Sequence, residues 1–338
     1  MKGKRELLAV ACARSGLTRA LETVLRRDAL LVLNYHRIGN ALETPYDSGT
    51  FGPTAEQFDW EIAYLRSRFD CVNLQEALAM MTGELPVRSS LLITFDDGYL
   101  DNYQVAFPIL RAHGVPASFF LPTDFINTRR VPWWDTIAYI VKHSRNDSFK
   151  VHYPQPAEFH LDRQHPSATV FQLLRFCSDH ATTNYAPLID ELETACDCQR
   201  PGAASERCFL NWDEAREMQS AGMSFGSHTH KHEVLSGLSP ERQIAELTES
   251  RAILERELGR TIDSLAYPVG RPYTFNADTQ VALTKSGYRA AFSFYGGVNL
   301  HGNVDRLDIR REDCHSSSTE LFRLETTLAA VGKRLAAS

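Results

Sequence analysis

The sequence lacks any apolar run of the ~18 residues that a membrane-spanning helix requires, so no segment reads as a bilayer span. It also lacks a surplus of positive charge. With 36 Lys and Arg against 42 Asp and Glu the formal net charge is −6, which speaks against a nucleic-acid partner held by phosphate neutralisation. Cysteine is sparse and unpatterned: seven residues with no CxxC pair fit reduced thiols in a cytosolic protein better than a disulfide framework. Cys196 and Cys198 are spaced poorly for a structural zinc site and read as ordinary thiols in a loop.

A complete export signal is missing too. Lys2, Lys4 and Arg5 precede Leu7 to Ala13 in imitation of one, but the apolar run is short and Arg14 closes it. Leu7, Leu17, Leu21, Val24 and Leu25, mixed with Arg14, Arg19, Arg26 and Arg27, instead predict a basic amphipathic helix over residues 1–28. Such a helix either packs on the outside of its own protein or lies on an anionic membrane surface. The expected location is cytoplasmic, with peripheral contact at the inner membrane face as the variant.

What is present is an α/β alternation. The 338 residues suffice for one large α/β domain or two smaller ones. Apolar runs predict strands at Leu30–His36, Leu91–Phe95, Val115–Leu121, Met223–Phe225, Ser264–Tyr267, Ala290–Phe294 and Arg306–Arg310. Helices are expected from the capping box at Thr54 to about Phe69, around Tyr103, Phe107 and Leu110 with a stop at Gly114, over Asp213–Ala221, and from Ser239-Pro240 to Gly259. Residues 127–208 break the rhythm and read as an insertion; residues 321–338 form a C-terminal helix or tail. Alternation of this kind implies a mainly parallel sheet, open or closed into a barrel, with ligands at the carboxyl ends of the strands.

Chemistry concentrates at two such ends. Leu91-Leu92-Ile93-Thr94-Phe95 runs into adjacent carboxylates, Asp96-Asp97, before Gly98 and Tyr99. Two like charges in one site need a cation, a shared proton or full solvation. Ser227-His228-Thr229-His230-Lys231-His232 offers imidazoles four residues apart. An Asp and two His suit zinc or a similar divalent ion with positions left for water and substrate, a hydrolytic layout. Taken singly, Asp-Asp-Gly is also a common turn, and the histidines could be a surface cluster.

Together these segments resemble the first and second motifs of the polysaccharide deacetylases, the NodB-homology or carbohydrate esterase family 4 enzymes. The resemblance implies a distorted barrel of seven βα units over roughly Leu30 to Glu312, with residues 29–320 as the deacetylase-like unit. It implies Asp96 as general base and Asp97, His228 and His232 as ligands of a divalent metal, zinc first with cobalt, nickel or manganese as alternatives. His230 is then a spectator. Ala266-Tyr267-Pro268-Val269-Gly270 resembles the third motif, with Ala266 where the family's arginine stands, so Arg271, Arg310 or Arg311 would have to orient Asp96. The backbone N–H near Val269 is an oxyanion donor candidate, and Tyr99 and Arg271 are candidate substrate contacts.

The family's late histidine motif is not evident. Val32-Leu33-Asn34-Tyr35-His36-Arg37-Ile38 resembles the early strand of the permuted poly-N-acetylglucosamine deacetylases, making His36 the candidate acid ahead of His301 and His315. A core histidine is the alternative. Trp133 and Trp134 either stack on sugar rings or anchor the insertion. The implied activity is removal of an N-acetyl group from a glycan or lipid-linked sugar. The alternatives are an O-acyl ester or non-sugar amide substrate, or a non-catalytic carbohydrate-binding protein.

Overall fold

The computed structural model describes residues 3–25, 28–180, 182–203, 207–300, 304–313, 316 and 318–335. His301 and His315, together with Arg26 and Arg27, lie outside them. The strands are β1 (Ala29–Tyr35), β2 (Asp70–Cys71), β3 (Ser90–Asp96), β4 (Ser118–Leu121), β5 (Ser148–Val151), β6 (Ala157–His160), β7 (Ser224–Ser227), β8 (Ser264–Ala266), β9 (Ala290–Phe292), β10 (Asn299–Leu300) and β11 (Glu312–Asp313). The helices are α1 (Lys4–Arg14), α2 (Leu17–Val24), α3 (Ala55–Arg68), α4 (Leu74–Thr82), α5 (Phe107–His113), α6 (Trp133–Lys142), α7 (Pro166–Asp179), α8 (Ala186–Ala195), α9 (Trp212–Ser220), α10 (Pro240–Leu258), α11 (Ala277–Lys285) and α12 (Thr319–Ala329).

Strands β1, β3, β4, β7, β8 and β9 pair in parallel in that order and curl into a distorted (β/α) barrel. Side chains alternate across the wall, as strand geometry requires. Val32, Leu92, Phe120, Ala266, Phe292 and Ile309 share one cluster inside the curl, to which α4 adds Leu74, Ala77 and Met80. Their neighbours Leu31, Leu33, Ile93, Phe95, Phe119 and Leu265 pack outward against the helices.

The strand expected at Arg306–Arg310 is displaced. The Arg306 carbonyl accepts from the Ala291 amide, Asp305 then turns the chain by accepting from the Leu307 and Asp308 amides, and the bridge to Phe292 forms at Ile309. β11 then runs parallel to β1. The segment 309–313 therefore joins β9 to β1 around the ring, and Arg311 falls between its two points of attachment.

Residues 127–208 hold α6, the β5–β6 hairpin, α7 and α8 around a core of their own, including Ile137, Val141, Val170, Leu173 and Leu188. The ends of this insertion meet: the Asn127 amide donates to the Leu210 carbonyl, and the Leu210 amide to Gly98. That seats it beside the turn after β3. At the N-terminus the single helix expected is two, because Gly16 adopts a left-handed conformation (φ 76°). They pack on α12 through Ala9, Leu321 and Leu324, and through Glu22 paired with Arg323.

Candidate active site and metal centre

Strand β3 delivers Asp96 to the end of the barrel, and the chain then reverses through Asp97 (φ 71°) and Gly98 (φ 68°). A side chain at 98 would meet Leu121 Cδ2 at 2.6 Å, so glycine is required there. Thr229, His232 and Val269 also have positive φ. Left-handed backbone is costly for such residues, and here it clusters in the loops that carry the three sequence motifs.

Asp97, His228 and His232 converge, with their ligand atoms within 4.8 Å of one another. Asp97 Oδ1 lies 3.6 Å from His228 Nε2 and 3.4 Å from His232 Nε2, and although buried it has no hydrogen-bond partner among the described residues. Burial pushes the Asp97 carboxyl up, and the Asp96 and Asp135 charges push the same way. Burial also lowers both imidazoles, which favours their neutral form. His228 Nδ1 hydrogen-bonds the Ala266 carbonyl at 2.7 Å, which turns Nε2 towards Asp97. A buried carboxylate oxygen facing two imidazole nitrogens is a donor set that fits a divalent cation.

Asp96 is treated in the opposite way. Burial raises its carboxyl, but the guanidinium of Arg311, with His228 and His36 beyond it, brings the group well below the usual carboxylate range. Arg311 is fully buried and donates Nη1 to Asp96 Oδ1 and Nη2 to Oδ2, each at 2.8 Å. Its Nε reaches the Ser293 carbonyl at 3.0 Å and its Nη1 reaches Asn34 Oδ1 at 2.7 Å, while Asn34 donates to Asp96 Oδ2 at 3.1 Å. Of the three candidate substitutes for the motif-three arginine, Arg311 makes the contact. Arg310 lies over the Tyr295 ring, and Arg271 is exposed on the cavity wall.

A cavity of about 460 Å³ opens onto these groups. His36 lines it, with Nε2 4.0 Å from Asp96 Oδ2. Val269 lines it as well, and its amide donates to no protein group among the described residues. His230 is turned away, bonded to Thr123 at 2.9 Å. Tyr99 is not a cavity residue: it is buried and its hydroxyl joins Trp134 Nε1 (2.6 Å) to Asp135 Oδ2 (3.1 Å). It thereby braces Trp134, whose ring sits 4.5 Å from that of His232. Trp133 stacks on Tyr185 of the insertion at 3.5 Å while also lining the cavity.

Sequence reasoning missed the wall that the insertion contributes. Phe171, Leu174, Arg175, Ser178 and Asp179 all line the cavity from one face of α7. Their i, i+3, i+4, i+7, i+8 spacing is a helical signal, but its apolar members read equally well as core.

The polysaccharide deacetylase family model matches residues 85–153 and 154–291, more than half of the chain. The chain belongs to the polysaccharide deacetylase family. The chain is 24% identical over 264 residues to YxkH of Bacillus subtilis strain 168, named for the same family, across 77% of this chain and 62% of that protein. It thus spans less than two thirds of that relative's length. Its fold is similar to the Streptococcus pyogenes deacetylase PplD (TM-score 0.58, 18% identity, 88% of this chain and 98% of that one). It is similar as well to IcaB from Ammonifex degensii (TM-score 0.55, 19% identity, 90% and 98%).

Proposed function

We propose that this deacetylase is a divalent-metal-dependent hydrolase that removes an N-acetyl group from an amino sugar in a glycan or glycolipid precursor. One observation carries the reading: Asp96 and Asp97 are neighbours in sequence and share one cavity with two imidazoles, yet Arg311 grips Asp96 while Asp97 faces His228 and His232, and their carboxyls are shifted in opposite directions. Environments that separate two such groups assign them different tasks.

Asp97, His228 and His232 would hold the ion. Zinc suits two imidazoles and a carboxylate best, with cobalt, nickel or manganese as alternatives. When bound, it would polarise the amide carbonyl and lower the pKa of water from ~15.7 towards ~7. Asp96, kept ionised by Arg311, accepts the proton of the attacking water. The Val269 amide donates to the carbonyl oxygen as charge develops there. His36 delivers a proton to the departing nitrogen, so acetate and a free amine leave, and Arg271 steadies the substrate at the cavity wall.

The same machinery serves an O-acyl ester or a non-sugar amide. A non-catalytic sugar binder was suggested by Ala266, and the Arg311 contact to Asp96 speaks against it. Acetate release from N-acetylated oligosaccharides, lipid-linked sugars, O-acetyl sugars and cyclic amides, with and without chelator, tests the reading. Chelator-sensitive release from acetamido sugars is expected. Release from esters alone, or glycan binding without release in metal-replete protein, would overturn it.

We also propose a cytoplasmic location, with peripheral contact at the inner membrane face as the variant. No helix among the described residues is long and apolar enough to cross a membrane. Leu7, Leu8, Leu17 and Val24 are nevertheless exposed on α1 and α2, beside exposed Lys4, Arg14 and Arg19. That pairing of apolar and basic groups suits an anionic bilayer surface.

A further inference from the structure

Among the described residues only two aromatic side chains are exposed, Phe171 at 65% and Tyr273 at 48%. Both line the cavity that holds Asp96, Asp97, His228 and His232. They come from unrelated parts of the chain, Phe171 from α7 of the insertion and Tyr273 from the loop after β8. Among the described residues neither ring packs against another ring, unlike Trp60, Trp133 and Tyr267.

The two carriers are tied together. The Tyr273 hydroxyl donates to Asp179 Oδ1 at 3.0 Å and meets Ser178 Oγ at 3.4 Å, both on α7, where Arg175 also faces Asp179 at 3.5 Å. The rings therefore stand on walls held in fixed relation, with a guanidinium, a carboxylate and a hydroxyl alongside them. A lipid tail would meet charge on this surface. A pyranose presents an apolar C–H face to a ring and hydroxyls around its edge, and this mixture matches that division.

We infer that Phe171 and Tyr273 form a second sugar subsite beside the reacting one, so that the preferred substrate is an oligosaccharide and the insertion sets that preference. The inference rests on the proposed sugar deacetylation. Stacking of this kind binds substrate and transition state alike, so its loss raises KM and leaves kcat unchanged.

The test compares N-acetylglucosamine with its tetrasaccharide in the metal-loaded protein, alongside calorimetric binding of the tetrasaccharide to chelated protein. Phe171→Ala and Tyr273→Ala should each raise KM for the tetrasaccharide about five- to tenfold, with kcat and monosaccharide turnover unchanged. Binding to the chelated protein should weaken by the same factor. Tyr273→Phe, which keeps the ring, should stay within about twofold of wild type. Equal wild-type KM values for the two sugars, equal losses on both in the variants, or a Tyr273→Phe defect matching Tyr273→Ala would overturn the subsite. If no substrate releases acetate the sugar-deacetylation reading fails, and calorimetry decides the subsite alone: tetrasaccharide binding weakened by Phe171→Ala supports it, and no binding to wild type overturns it.

Discussion

Arg311 and Asp96 lie 215 residues apart in sequence and meet inside the barrel in a two-pronged ion pair, each N···O distance 2.8 Å. The arginine is fully buried. A paired charge of this kind is strongly destabilising to break from one side, because the remaining partner stays buried alone.

Arg311→Met should therefore lower stability by about 3–5 kcal/mol in denaturant unfolding. Acetate release should drop by at least about 100-fold, since Asp96 loses both its charge partner and its orientation. Adding Asp96→Asn to the same chain should recover most of the stability and none of the activity. A single variant with wild-type turnover would mean that Arg311 does not orient Asp96.

Stability should also depend on pH through Glu61, which is buried and accepts a hydrogen bond from the Tyr35 hydroxyl at 2.9 Å. Burial pushes its carboxyl from 4.5 up to about 8. The folded protein then keeps a proton that the unfolded chain releases. This contribution is fully present below pH 4.5 and declines until the folded value near 8 is passed, by up to about 1.4 kcal/mol per pH unit. Urea unfolding of Glu61→Gln between pH 5 and 8.5 should show that slope removed; an unchanged slope would clear Glu61 of the effect.

The barrel interior gives a packing prediction. A Cβ at Gly226 would sit 2.5 Å from Phe120 Cε1 and 2.9 Å from Ser264 Oγ, both side chains buried. Gly226→Ala should cost about 1–3 kcal/mol by overpacking, and Phe120→Leu in the same chain should return part of it. Additive losses in the double variant would place the strain elsewhere.

Much of this arrangement was legible because strand periodicity and short motifs are local properties. β1, β3, β4, β7 and α10 fall where apolar runs and caps put them, and Asp97, His228 and His232 converge as their motifs imply. What stayed hidden depends on contacts distant in sequence. Which of Arg271, Arg310 and Arg311 reaches Asp96 is decided by where the chain re-enters the ring after the Asp305 turn, and adjacent residues face opposite ways there. Tyr99 has the composition of a ligand contact, yet the insertion covers it with Trp134. Gly16 divided the N-terminal helix because its left-handed conformation ends one helical run and starts the next.

The exposed faces of α1 and α2 lead to a membrane experiment. Wild-type protein should co-sediment with vesicles containing phosphatidylglycerol and not with pure phosphatidylcholine, and binding should fall as salt rises. Leu7→Glu combined with Leu17→Glu should abolish it while deacetylation of soluble oligosaccharide continues. Equal binding to neutral vesicles, or none to either, would contradict the proposed contact.

The division of labour between Asp96 and Asp97 is the centre of the account, and paired zinc-content and acetate-release measurements on two variants test it most directly. Asp97→Ala should lose both zinc and turnover. Asp96→Asn should retain about one equivalent of zinc per chain while acetate release falls at least about 100-fold, as for removal of an essential general base. Full zinc content in Asp97→Ala, or loss of zinc in Asp96→Asn, would contradict it.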